Sequence, residues 1–135
     1  MCWSGFKVQK KVAEKDIEVY KIGLVQDNRF ICEFQMYSYE KGVANRELVL
    51  KEKYYGLGHI LIDEGYHSYK RVSIRFNSLS GKIKYIYRGY RIQPYLDGLY
   101  HLATFIIPKG SIYYENIYGE IVSSNIVYTG RYLKL

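Results

Sequence analysis

Periodicity constrains this chain more than any other feature. Apolar side chains recur at every second position in short runs, and no stretch carries a long amphipathic helical pattern. From Asp16 to Val25, Glu18, Tyr20, Ile22 and Leu24 alternate with Ile17, Val19, Lys21 and Gly23. Gln26-Asp27-Asn28-Arg29 supplies turn residues. From Phe30 to Tyr39, Phe30, Cys32, Phe34 and Met36 then share one face, while Glu33, Gln35 and Tyr37 take the other. Two alternating runs joined by four polar residues predict a β-hairpin.

Further strands are expected at 47–55, 60–62, 72–76, 82–92 and 99–107, the last ending at Pro108, which has no N–H for a ladder. Short strand-like pieces follow at 113–114, 121–122 and 125–128. About eight strand candidates separated by turn signals predict a mainly β fold, α+β at most. The expected architecture is an antiparallel sheet, barrel- or sandwich-like, with one or two short helices. Residues 1–135 are read as a single domain. Within it, 1–15 is expected to be a mobile or short helical lead-in, with Val8 and Val12 four apart among charged residues. A chain of this length buries roughly two-thirds of its unfolded surface, enough for a core without staples.

Tyrosine is the compositional outlier, with 17 copies against 5 Phe and 1 Trp. Its ring buries like an apolar group while its hydroxyl seeks a partner. Most tyrosines are therefore expected as half-buried strand residues, with a stacking surface or subunit contact as the alternative. The net charge of +7 points to anionic partners without choosing among nucleic acid, a phosphorylated small molecule and an acidic protein. Cys2 and Cys32 leave a disulfide open, but the reading taken is a reduced, cytoplasmic protein. The opening residues contain no apolar signal core, and no later run reaches membrane-spanning length, so no membrane partner is expected.

The centre of the chain carries the candidate site. Between Gly65 and Leu96 there is no Asp or Glu, while Lys70, Arg71, Arg75, Lys82, Lys84, Arg88 and Arg91 alternate with Tyr66, Tyr69, Tyr85, Tyr87, Tyr90 and Tyr95. Read as one strand from Lys82, period two places Lys82, Lys84 and Arg88 on one face. Ile83, Tyr85, Tyr87 and Arg91 take the other. Phosphate recognition uses such cations where they converge: arginine adds bidentate geometry and tyrosine adds stacking. The competing reading is a solvated strand whose lysines guard an edge. Gly65-Tyr66-His67-Ser68-Tyr69-Lys70 is the expected loop-edge contact segment.

Other patterns carry less. Gly56-Leu57-Gly58-His59 lacks the third glycine of a dinucleotide fingerprint and is read as a bulge or sharp bend. His59, Asp63 and His67 would share a face only on a helix, which Gly56, Gly58 and Gly65 oppose, so no metal and no cofactor is expected. His101 is read as a packed strand histidine. Glu115 and Glu120 are read as turn residues beside Gly119. No catalytic set is assigned.

Three segments look familiar together. They are Asp16-Ile17-Glu18-Val19-Tyr20-Lys21, Gly65-Tyr66-His67-Ser68-Tyr69-Lys70, and the run from Ile106 through Pro108-Lys109-Gly110-Ser111 to Tyr113-Tyr114 and Gly119-Glu120-Ile121-Val122-Ser123. This pattern resembles a group of small proteins found in phages and in gut bacteria and their mobile elements. The resemblance implies a small cytoplasmic accessory protein, phage-encoded, and brings neither an activity nor site residues. By analogy of size and charge with sponges that sequester nucleotide immune signals, the expected function is non-enzymatic binding of an anionic, nucleotide-like ligand by a homo-oligomer. The ligand residues expected are Tyr66, His67, Tyr69, Lys70, Arg71, Arg75, Lys82, Lys84, Tyr85, Tyr87, Arg88 and Arg91. Alternatives are a nucleic-acid-binding accessory protein, a protein-binding inhibitor of a host factor, and a nucleotide-cleaving or ADP-ribose-transferring enzyme.

Overall fold

The computed structural model describes residues 3–32, 37–54, 56–76, 83–96, 98 and 100–135. Among them the chain forms fifteen strands and no helix. The first eight are β1 (Trp3–Phe6), β2 (Lys11–Val12), β3 (Ile17–Gln26), β4 (Arg29–Cys32), β5 (Ser38–Glu40), β6 (Lys53–Tyr54), β7 (His59–Ile62) and β8 (Tyr66–Tyr69). The rest are β9 (Val72–Phe76), β10 (Ile83–Arg88), β11 (Arg91–Leu96), β12 (His101–Ile107), β13 (Ile112–Glu115), β14 (Glu120–Ser123) and β15 (Val127–Lys134). The mainly β, antiparallel class read from the alternation is the observed one. In place of the expected short helices, the lead-in forms β1 and β2. Trp3 is 3% exposed and its indole N–H donates to the Glu120 carbonyl at 3.0 Å, which docks the segment on β14.

The large sheet runs β15-β12-β3-β8-β14-β13-β2, with β4 and β5 added beside β3. Among the described residues it does not close into a barrel. Among the described residues, β5 and β15 approach through a parallel bridge from Lys41 to Tyr128, where the Gly42 N–H donates to the Tyr128 carbonyl at 2.7 Å. Two three-stranded sheets, β1-β7-β6 and β11-β10-β9, pack against it.

The predicted hairpin is present as β3 and β4, with Gln26 opposite Arg29. Its two-residue turn places Asp27 and Asn28 at φ 51° and 63°, the left-handed pair that a type I′ loop requires. Phe34 and Met36, assigned to the core face of its second strand, lie outside the described residues. Gly56, Leu57 and Gly58 all take positive φ in the bend that leads into β7, so that motif is a turn between β6 and β7.

The single strand expected at 82–92 is instead a hairpin. Gly89, at φ 58°, and Tyr90 turn the chain, and Arg88 pairs with Arg91. Glycine at the first position of a two-residue loop accepts the positive φ that II′ turns demand. The alternation therefore cannot be carried through position 90, and Arg91 shares the face of Arg88 and Lys84 rather than that of Tyr87.

Among the described residues, the buried apolar side chains form three cores. Val19, Phe30, Tyr39, Tyr66, Ala103, Phe105, Ile107, Ile121, Ile126 and Tyr128 form the main one. The Phe30 ring meets Phe105 edge-on at 5.0 Å, and Phe105 meets Tyr128 at 5.2 Å. Each fully buried side chain of this size contributes roughly 1.5–3 kcal/mol. A second core joins Trp3, Ile60, Ile62, Tyr114 and Val122. The third lies across β3: Ile22, Ile86 and Tyr95 pack with Val72, Ile74 and Leu102. Strand β3 thus serves two cores, with Val19 turned to one and Ile22 to the other.

Candidate ligand cavity

The cavity originates in the way β3 is paired. One edge of β3 follows β12 continuously, from Ile17 opposite Ile107 to Gly23 opposite His101. On the other edge, Tyr20 pairs with Tyr69 of β8, whereas Gly23 to Gln26 pair with β4. The two neighbours diverge around Lys21 and Ile22. A cavity of about 510 Å³ opens there, within the 300–1,000 Å³ range usual for small-ligand sites.

Its interior wall combines Ile22, Phe30, Cys32 and Leu48 with the tyrosines 37, 39, 66 and 69. Tyr37 and Tyr39 meet edge-on at 4.8 Å, and Tyr39 meets Tyr66 at 6.3 Å. The Tyr66 hydroxyl donates to the Arg46 carbonyl at 2.6 Å. Burial, with Tyr37 beside it, pushes the Tyr66 hydroxyl up to about 12, and burial drives Tyr39 higher still, so both remain proton donors at neutral pH.

Two cations reach this hollow. Lys21 lies on the Val19 face of β3, opposite the small Ala103 of β12. Its ammonium sits 5.4 Å from the Tyr39 ring centre and 5.8 Å from that of Phe105. Arg88 comes from β10, on the other side of the sheet. It is 3% exposed, donates to Gln93 Oε1 at 2.7 Å and places its guanidinium 5.7 Å from the Tyr69 ring centre. Burial holds the Lys21 amine below its ordinary value. The Cys32 thiol works in the opposite direction, and the Arg88 charge adds to the depression. At the rim, Asp63 pairs with Lys53, and Glu64 pairs with Arg46 at 3.4 Å. These rim pairs are exposed and worth little individually, but they leave the rim close to neutral around a cationic interior.

The structure gathers four of the expected ligand residues at this cavity: Tyr66, His67, Tyr69 and Arg88. It places seven of the others elsewhere. Lys70 pairs with Glu115 at 3.5 Å. Arg71 is exposed between β8 and β9, and Arg75 is exposed with its guanidinium 4.7 Å from the Tyr87 ring centre. Tyr85 and Tyr87 lie on the outer face of the β9-β10-β11 sheet. Lys84 and Arg91 lie on the inner face, where Ile86 is fully buried. The cationic face read from the sequence is therefore the one turned toward the core. Lys82 lies outside the described residues.

Lys21, Tyr37, Tyr39 and Arg46 were not expected in the site. Lys21 did carry a signal: it is the one charged residue among Ile17, Val19, Gly23 and Val25 on an otherwise apolar strand face. Among the described residues, no group of three or more His, Cys, Asp or Glu is placed to hold a metal ion. His59 instead stacks with Phe6 at 5.0 Å, and His101 accepts from the Val25 N–H. Among the described residues, no helix is long and apolar enough to cross a membrane. No protein-family model matches the chain, and neither does any curated protein or solved structure.

Proposed function

We propose that the protein binds an anionic, ring-bearing small ligand, nucleotide-like in chemistry, in the cavity where β4 and β8 part, and holds it without turning it over. One observation carries the reading: Lys21 and Arg88 approach from opposite faces of the sheet into one hollow walled by four tyrosines. Two like charges in a partly desolvated space repel, and an anion between them relieves that repulsion. The tyrosine rings offer stacking surface that is already ordered, which keeps the entropy cost of binding low. The chain's small size and basic charge, with the resemblance to proteins of phages and mobile elements, support sequestration of a nucleotide-like signal as the biological setting.

Calorimetric titration with a panel of nucleotides and inorganic phosphate tests this. A ligand of the proposed class should bind, and Lys21→Met should weaken it by about 2–5 kcal/mol, the usual range for losing one partner of a buried charge pair. Absence of binding across the panel, or binding unchanged in Lys21→Met, overturns the proposal. A second reading rests on the outer face of β9-β10-β11, where Arg75 stacks on Tyr87 beside exposed Ile92. A nucleic-acid contact there would weaken steeply with salt. It would be lost in Arg75→Ala and retained in Lys21→Met.

A further inference from the structure

Lys21 occupies an unusual place for a lysine. Its stem runs along the apolar face of β3 and its amine lies against two aromatic rings on the wall of an accessible cavity. Among the described residues, no carboxylate stands within ion-pair distance of it. The acids nearest the cavity mouth, Asp63 and Glu64, are engaged by Lys53 and Arg46. Tyr39 from β5 lies beside the amine, and Cys32 from β4 and Arg88 from β10 act on its charge; the other titratable groups lining the cavity are Tyr37, Tyr66, His67 and Tyr69, with Arg46, Asp63 and Glu64 at its rim. An amine in apolar surroundings with a second cation nearby is the setting in which lysine becomes a nucleophile, because both conditions favour its neutral form.

We propose that Lys21 is a carbonyl-reactive amine that captures an aldehyde or ketone group of the bound anionic ligand as a reversible imine. The Nζ lone pair adds to the carbonyl carbon, and the carbonyl π pair moves to oxygen, which takes a proton. That proton comes from nitrogen, and the resulting carbinolamine then loses its hydroxyl, which leaves as water with nitrogen's one remaining proton. One water leaves per imine formed, no electrons change hands, and hydrolysis returns both partners unchanged. The ligand is held covalently but not consumed. Tyr39, its hydroxyl pushed up by burial, lies on the same wall. The ligand class is thereby narrowed to a phosphorylated or otherwise anionic carbonyl compound. The anionic half of that statement rests on the proposed function above, and the covalent half rests on Lys21.

Pyridoxal phosphate, an aldehyde that also carries a phosphate, is a suitable probe for the full chain. The protein is incubated with it at neutral pH, reduced with borohydride to fix any imine, digested and mapped by mass spectrometry. A lowered amine pKa raises the neutral, reactive fraction, and the cavity holds the aldehyde beside Lys21, so Lys21 should be labelled in preference to exposed lysines such as Lys10, Lys15 and Lys41. Lys21→Arg keeps the charge but cannot form an imine, and its thermal melt shows whether it folds. The wild-type label map stands whether or not that variant does. Label spread over exposed lysines with Lys21 unmodified overturns the proposal. Plain pyridoxal separates the two ideas: equal labelling of Lys21 by both aldehydes keeps the reactive amine but removes the anion site. Phosphate binding in the calorimeter with Lys21 unlabelled does the reverse.

Discussion

Replacing Lys21 with methionine should make the protein more stable while removing its ligand affinity. Methionine matches the unbranched stem and fills the same space beside Val19 and Ala103. Two terms oppose each other. Removing a desolvated ammonium and packing an apolar group in its place is neutral to stabilising by about 1–4 kcal/mol. The ring contacts to Tyr39 and Phe105 that are lost contribute roughly 0.5–1 kcal/mol each. Where the apolar replacement stabilises, the middles of the two ranges leave a net gain of about 1 kcal/mol. With an unfolding entropy of about 2.1 cal/mol/K per residue, each kcal/mol corresponds to roughly 3.5 °C in a chain of this length.

The pH dependence distinguishes this mechanism from generic packing. Because the folded-state pKa of Lys21 is depressed, the unfolded chain binds more protons between that value and the ordinary lysine value of 10.5. The wild type therefore gains stability as pH rises through that window. The advantage of Lys21→Met should be fully present below it and shrink as pH climbs toward the ordinary lysine value. Urea unfolding of both proteins at a series of pH values, from acid up to the ordinary lysine value, measures it. A methionine variant that is less stable at the lowest pH, or a difference that does not change with pH, would refute the reasoning.

Three other perturbations test the scaffold around the cavity. Asn28→Gly meets the positive φ of 63° without a side-chain penalty and should raise stability by roughly 0.5–1 kcal/mol in a thermal melt, since Asp-Gly is a preferred I′ pair. Gly23→Ala should cost about 1–3 kcal/mol in urea unfolding, because a Cβ there meets the Ile31 carbonyl oxygen and the Phe30 ring. His101 accepts the Val25 N–H at 3.3 Å, and burial lowers its pKa from 6.5. The unfolded state thus binds more protons just below that pH, and stability should fall as pH drops through it. His101→Asn, which keeps an acceptor that does not titrate, should flatten this part of the stability profile.

The parts of the fold visible in the sequence are those set by neighbours along the chain. The hairpin of β3 and β4 was legible because alternation and the turn residues Asp27 and Asn28 agree. The hairpin of β10 and β11 was not, because a single glycine among β-branched and aromatic residues gives a weak punctuation signal, and Gly89 was read as strand interior. The site was half legible. Arg88, Tyr66, His67 and Tyr69 stood out in a basic, tyrosine-rich stretch. Lys21 lies far from that stretch and reaches them only because β3 pairs with β8 at Tyr20 and Tyr69, a long-range contact that no local pattern encodes. Arg46 and Glu64 arrive from loops, where position follows from topology rather than periodicity.

Strand β3 has a mechanical consequence beyond the cavity. Its two faces belong to different packed interiors, and β12 beside it contributes to both, with Phe105 turned one way and Leu102 the other. Loosening this pair exposes both interiors at once, so neither can melt while the other survives. β3 is thus a shared wall between these two interiors, and whatever enters the cavity presses on the strand that both of them lean on.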